Sequence, residues 1–233
     1  MREEDVDIFY SCLSCQSLTP YHLCIITPEK PGICGVVNFL DCQASCESNP
    51  NGPNQAIAKE GCLDPCKGEW ESINRYVCDH SQMKFSRFCL HSILDDPPSV
   101  SNLCECLTVF LPEAGGVMVI ARADSSITPM GMTFSELLAM SAATQTPGVI
   151  GHAKSYLSSD KYLAGEGGIK RVVWISRHLK EELAEELKGA SERAGAPDLL
   201  GKIADGDTCA DSDALLSFLA KKGHPALTMD PML

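Results

Sequence analysis

Cys12-Leu-Ser-Cys15-Gln-Ser-Leu-Thr-Pro-Tyr-His-Leu-Cys24, continued by Ile-Ile-Thr-Pro-Glu-Lys-Pro-Gly-Ile-Cys34, is the stretch that organises the chain. Its spacing is C-x2-C-x8-C-x9-C. A C-x2-C pair sets two thiolates close together on one turn. Pro20, Pro28 and Pro31 interrupt any helix through the return, so Cys24 and Cys34 are expected on short loops. Four soft thiolates gathered in this way suit an iron–sulfur cluster or zinc. The plainer alternative is a set of buried thiols or disulfides. In a chain with no export signal, cysteines this closely spaced more often bind metal.

A second cysteine element follows at Asn102-Leu103-Cys104-Glu105-Cys106. A Cys-x-Cys tripeptide offers two thiolates and two backbone amide nitrogens between them. Deprotonated, these four atoms can form a flat N2S2 square, a geometry that Ni(II) or Cu(II) prefers and zinc does not. Alone the tripeptide is weak. Beside the four-cysteine motif it becomes specific.

With both elements in place, the chain resembles the catalytic C-terminal domain of the CO-methylating acetyl-CoA synthases, the β subunit of the acetyl-CoA decarbonylase/synthase complex. Further stretches carry the likeness: Thr27-Pro28-Glu29, Gly52-Pro53-Asn54, Cys62-Leu63-Asp64, Gly68-Glu69-Trp70, Pro129-Met130-Gly131-Met132, Val173-Trp174 and Lys222-Gly223-His224-Pro225. The resemblance covers nearly the whole sequence. It implies that Cys12, Cys15, Cys24 and Cys34 hold a [4Fe-4S] cluster, with Cys15 bridging to a proximal nickel. It implies that Cys104 and Cys106, with the backbone nitrogens of Glu105 and Cys106, hold a distal nickel. The implied reaction joins a methyl group from a corrinoid iron–sulfur protein to CO and passes the acetyl to coenzyme A. A CO dehydrogenase subunit is the implied partner.

Two positions depart from the family pattern. Glu105 stands where the family has Gly, which matters only if that position demands a positive φ. Leu18 stands where the family usually has Phe beside the proximal metal, which would reshape the alcove for CO or methyl without touching the ligands. Cys42 and Cys46, with Cys62 and Cys66, make two C-x3-C pairs. They are candidates for an additional zinc or iron–sulfur centre, against a bland reading as buried thiols. Cys78, Cys89 and Cys209 read as structural, and His22 and His91 as ordinary core or surface histidines.

The 233 residues are ample for a sizeable core. A net charge of −12 and a pI near 4.9 argue against nucleic acid as a partner. No apolar window is long enough for a membrane span, and the acidic start Met1-Arg-Glu-Glu-Asp has no apolar signal core. Thirteen cysteines then indicate a reducing cytoplasm. The expected fold is mixed α/β, a mixed sheet packed with helices, preceded by a loop-rich, cysteine-rich metal-binding segment. One domain spans 1–233, with 1–110 the metal-binding part and 111–233 the scaffold.

Within the scaffold, Val117–Ala121 and Arg171–Ile175 are expected strands. Thr133 and Glu136 form a capping box that opens a helix to about Ala143. Ser176 is expected to cap a helix carrying Leu179, Leu183 and Leu187 on one face and stopping at Gly189. Ala214–Lys222 is the expected last helix.

The chain begins shortly before its first cysteine ligand, so it is expected to be the metal-bearing domain alone. No Gly-rich phosphate loop is read, and 19 basic residues are scattered among 31 acidic ones. The coenzyme A surface is therefore expected from a separate CoA-binding subunit. Two other readings stay open: a non-enzymatic iron–sulfur or nickel module for electron transfer or metal handling, and a paralogue moving methyl or acyl groups to another acceptor.

Overall fold

The structure is a computed structural model and describes residues 1–34, 36–94, 104–141, 147–209 and 211–232. β1 (Ile8–Cys12), β2 (Cys24–Ile26), α1 (Phe39–Ser48) and β3 (Asn54–Ala58) build the first unit. β4 (Cys62–Asp64) and β5 (Glu69–Trp70) form a hairpin, followed by α2 (Glu71–His80). β6 (Cys106–Leu111), β7 (Gly116–Ala121), α3 (Phe134–Ser141), β8 (Val149–His152) and α4 (Lys154–Leu157) come next. β9 (Val172–Ile175), α5 (Arg177–Glu182), α6 (Ala184–Arg193) and α7 (Ser212–Lys222) complete the order.

The largest sheet runs β8-β6-β7-β9. β6 is antiparallel to β7 and β8, while β7 and β9 are parallel, so the sheet is mixed as expected. Both faces are covered, which is why Gly116–Ala121 reads as an unbroken apolar run. Met118 and Ile120 enter one core cluster with Phe134, Leu137, Leu215 and Leu219. Val117, Val119 and Ala121 enter a second with Leu157, Leu179, Leu187 and Ala190. The first cluster also takes in Phe9, Ile25, Phe39 and Ile73 from the cysteine-rich half. The division at 110/111 therefore falls inside β6, and one core spans both parts.

Local chemistry explains the element ends. Asn38 caps α1 by accepting from the Asp41 N–H at 3.0 Å, and Asp41 answers to the Asn38 N–H at 3.3 Å. Thr133 and Glu136 form the expected capping box ahead of α3; the expected end at Ala143 lies outside the described residues. Asp211 caps α7 through the Ala214 N–H at 2.8 Å, and Gly223 at φ +59 closes it.

Three expectations are corrected. The helix expected through Leu179, Leu183 and Leu187 is two helices that meet at Leu183. Gly189 does not stop it, because α6 runs on to Arg193 and the left-handed residue is Gly195. Ser176 occupies the N-cap position, but its hydroxyl accepts instead from the Ala121 N–H at 3.3 Å. Among the described residues no helix is long and apolar enough to cross a membrane.

Candidate metal centre

Cys12 ends β1 and Cys24 begins β2, and the two are direct cross-strand partners. This corrects the expectation that Cys24 returns on a loop: a two-strand register places it. Cys15 sits in the 3-10 turn Ser14–Ser17, whose carbonyl at Cys15 accepts from the N–H groups of Leu18 and Thr19. Thr27 and Lys30 pair backbone to backbone at 3.0 and 3.2 Å, making a tight turn with Pro28 and Glu29 at its corner. The chain then reaches Cys34, whose sulfur accepts from the Val36 N–H at 3.5 Å.

The four thiols lie within electrostatic reach of one another. Burial pushes the Cys24 thiol up to about 12, and Cys12, Cys15 and Cys34 add to the rise. Burial, then Cys34 and Cys12, raises Cys15. Without metal Cys15 and Cys24 are held as thiols, and a bound metal would take the place of their protons. No disulfide joins any of the thirteen cysteines. Among the described residues, no three Cys, His, Asp or Glu side chains are gathered around a single-ion position. The four thiols stand at two strand ends and two turns, a soft donor set of the kind that an iron–sulfur cluster or zinc takes.

Cys104 and Cys106 are buried, while Glu105 between them is exposed. The described non-glycine residues with positive φ are Gln82, Met83 and Leu163, so Glu105 stands at a φ open to any side chain. Glu105 therefore leaves the tripeptide backbone free of the strain that would have argued against it. Its carbonyl accepts from the Arg122 N–H at 2.7 Å, and its carboxylate from the Lys154 N–H at 2.8 Å. Burial, then Glu105 and Cys104, raises the Cys106 thiol far above its usual range. By donor chemistry two thiols and two backbone amides match what a square-planar nickel takes, while the structure packs Cys104 and Cys106 into different core clusters.

The loop between Cys24 and Cys34 and the Cys104-Glu105 segment meet at a cavity of about 190 Å3. Cys104 and Glu105 form one wall, and Thr27, Pro28, Glu29 and Pro31 form another. Cys104 also shares a core cluster with Cys12, Cys24 and Cys42. Cys106 packs into the other cluster, across from His152 of β8. Leu18 projects from the Cys15 turn with 89% of its surface exposed.

The remaining sequence candidates divide. Cys42 is fully buried on α1, and burial, then Cys12, Asp41, Cys24 and Cys46, pushes its thiol up to about 12. Cys62 and Cys66 are exposed on the β4–β5 hairpin, where the Asp64 carboxylate accepts from the Cys66 N–H at 2.9 Å. Cys78 is half-buried, and Cys89 and Cys209 are buried.

Several residues beside the cysteine elements carry little signal in the sequence. His22, set aside as ordinary, places Nε2 3.4 Å from the Cys24 sulfur, and burial keeps its ring neutral. Glu29 lies against the cavity with 1% exposure, bound to Lys161 and to the Glu3 N–H. The only early signal for Glu29 was its place in Thr27-Pro28-Glu29. Ala153 and Lys154 carried none.

A family model for the C-terminal part of the ACS/CODH beta subunit matches residues 1–233. The chain belongs to that family. It is 43% identical over 235 residues to the carbon monoxide dehydrogenase/acetyl-CoA synthase subunit alpha of Moorella thermoacetica, covering 100% of this chain and 32% of that protein. It is 39% identical over 226 residues to the acetyl-CoA decarbonylase/synthase complex subunit beta 1 of Methanocaldococcus jannaschii, covering 97% of this chain and 29% of that one. The chain thus spans about a third of the length of these relatives. A solved structure of the C-terminal domain of an acetyl-coenzyme A synthase alpha subunit superposes with a TM-score of 0.53 at 40% identity, covering 57% of this chain and 98% of that one.

Proposed function

We propose that this chain is the metal-bearing part of an acetyl-CoA synthase. It would assemble acetyl-CoA from a corrinoid-bound methyl group, CO and coenzyme A. The observation that carries this reading is the meeting of Cys104-Glu105 with the Cys24–Cys34 loop across one small cavity. An electron carrier would need the four-cysteine motif and have no use for the second element beside it.

Cys12, Cys15, Cys24 and Cys34 would hold a [4Fe-4S] cluster, and Cys15, Cys104 and Cys106 would hold two nickel ions. When bound, that group supplies the capture of CO and methyl and the joining of their carbons. The chain's own residues do the rest. His22, neutral and next to Cys24, can donate to its sulfur and fix its orientation. Pro28, Pro31 and Phe39 make much of the cavity wall apolar, and about 190 Å3 admits a few small molecules of the size of water or CO. A nucleotide does not fit there. Coenzyme A would therefore reach the site along a surface supplied from outside these residues, by a CoA-binding subunit or a further stretch of protein.

The proposed partners are the corrinoid iron–sulfur protein, a CO dehydrogenase subunit and that CoA-binding surface. A reducing cytoplasm is the proposed setting, because thirteen cysteines, six of them in metal-ligand spacing, suit one. The test is an anaerobic assay with the metal-loaded chain, a methylated corrinoid protein and CO, with and without the partner subunits. Methyl uptake by the chain alone, and acetyl-CoA formation only with the partners, are expected. No methyl uptake in either assay would leave a binding module.

A further inference from the structure

Three consecutive residues, His152, Ala153 and Lys154, touch both cysteine elements. The Lys154 N–H donates to the Glu105 carboxylate at 2.8 Å. The Ala153 N–H donates to the Glu29 carbonyl at 3.2 Å, on the loop that joins Cys24 to Cys34. His152 is the cross-strand partner of Cys106. The corner is itself held in place. His152 Nδ1 lies 2.9 Å from the Ala153 carbonyl and Nε2 2.7 Å from the Thr108 hydroxyl, which is 2.9 Å from the Tyr162 hydroxyl. The carbonyl can only accept, so Nδ1 carries the proton and Nε2 accepts from Thr108. Lys154 Nζ reaches both Glu182 oxygens at 2.6 and 2.7 Å, which anchors the corner to α5.

Residue 105 is therefore pinned at two points on opposite sides. Its carbonyl is tied to Arg122 just beyond β7, and its side chain is tied to the corner beyond β8. The tripeptide cannot rotate about its own axis without breaking one of these bonds. The loop bearing Glu29 cannot withdraw from Cys104 without breaking the Ala153 bond.

We infer that the Ala153–Lys154 corner is a clamp that sets the Cys104–Cys106 segment against the Cys24–Cys34 loop, with the Glu105 side chain as its latch. Glu105 is a positioning residue that acts through Cys104 and Cys106. The consequence for metal rests on the proposed function. The clamp itself does not. A square-planar site tolerates little twist between its four donors, so a latched tripeptide binds nickel more tightly than a loose one.

The test uses the whole chain, reduced and anaerobic, with two readouts. In the metal-free protein, hydrogen exchange at the Lys154 amide should quicken at least tenfold in Glu105→Ala and stay near the parent rate in Glu105→Gln, which keeps an acceptor oxygen. In a Ni(II) titration followed by the visible absorption of square-planar nickel, Glu105→Ala should weaken affinity about five- to tenfold, with Glu105→Gln within about twofold. Ala153→Pro supplies a second probe. Ala153 already has φ −74, which proline adopts, so the backbone of the corner is kept, while the ring Cδ replaces the N–H and pushes the Glu29 carbonyl away. It should weaken nickel similarly, and the double variant Glu105→Ala/Ala153→Pro should lose less than the product of the two.

Unchanged exchange at Lys154 in Glu105→Ala overturns the clamp whatever the metal results. So does a Glu105→Gln variant as weak as Glu105→Ala. A parent that takes up no nickel would defeat the proposed function, while the exchange data would still judge the clamp.

Discussion

Lys161 should be the costliest single charge to remove near the candidate site. Its ammonium contacts Glu29, lies 2.6 Å from Glu4 Oε2 and stands 3.7 Å from Glu3 Oε2. Glu29 and Glu3 are almost wholly buried, and Glu29 belongs to the loop between Cys24 and Cys34. Burial alone would pull the Lys161 ammonium down, but Glu3, Glu29 and Glu4 together hold it above its usual value. A raised folded value contributes fully below the unfolded value of about 10.5 and is lost only as pH rises through the folded one, so the contribution is complete at pH 7.5. Lys161→Met leaves two buried carboxylates with neutral hydrogen-bond donors such as the Thr27 hydroxyl and with the neighbouring Lys30, which burial lowers to about 8. Breaking a buried pair from one side costs about 3–5 kcal/mol, and Lys30 should keep the loss near the lower figure. At roughly 2–4 °C per kcal/mol for a chain of this size, the unfolding midpoint should fall by about 6–12 °C. Thermal unfolding of the reduced, metal-free protein measures it. Glu4→Gln, which removes only an exposed partner, is the control and should cost under about 1 kcal/mol. A loss below about 1 kcal/mol for Lys161→Met would show that the cluster of charges does not hold the loop.

Cysteine roles should separate by metal content. Cys104→Ala and Cys106→Ala should lose nickel and keep iron–sulfur absorption, whereas Cys12→Ala, Cys24→Ala and Cys34→Ala should weaken the cluster itself; equal damage from Cys106→Ala and Cys24→Ala would refute that division. A Cys42→Ala/Cys46→Ala variant tests the additional centre: metal lost while the main cluster persists supports it, and content equal to the parent returns Cys42, Cys46, Cys62 and Cys66 to the role of plain thiols. Acid should destabilise the metal-free protein between pH 6.5 and 4. Burial lowers His152 and His224 to about 4, so the unfolded chain binds protons that the folded chain refuses. Each contributes at most ~3 kcal/mol, and His224→Asn should flatten the pH dependence of the melting temperature; an unaltered slope would contradict it.

The sequence showed its chemistry more readily than its architecture, for a physical reason. Thiolate spacing is local, so Cys12, Cys15, Cys24, Cys34, Cys104 and Cys106 could be singled out without a fold. β7, β9 and α7 were equally legible, because an apolar run or a capped stripe signals itself within a few residues. β6 was hidden: Cys106–Leu111 gains its identity from partners at Ala121 and His152, far along the chain. Cys24 reads as a loop residue because Pro20 and Pro28 flank it, yet pairing with Cys12 makes it the start of a strand. Gly189 misled because glycine ends helices often, while Leu187, Ala190 and Ser191 are buried on a face that carries α6 past it. The corner at Ala153 and Lys154 acts through backbone N–H groups, which every residue but proline possesses, so no side-chain pattern could reveal it.

Metal content after anaerobic reconstitution, followed by spectroscopy of the reduced protein under CO, separates a synthase from a plain iron–sulfur module. Four thiolates at Cys12, Cys15, Cys24 and Cys34 predict about four irons per chain, and the Cys104–Cys106 tripeptide with Cys15 predicts up to about two nickels. Adding CO should produce a spectral change that requires the nickel. Iron present with nickel persistently absent would contradict the synthase reading and leave an iron–sulfur module in its place.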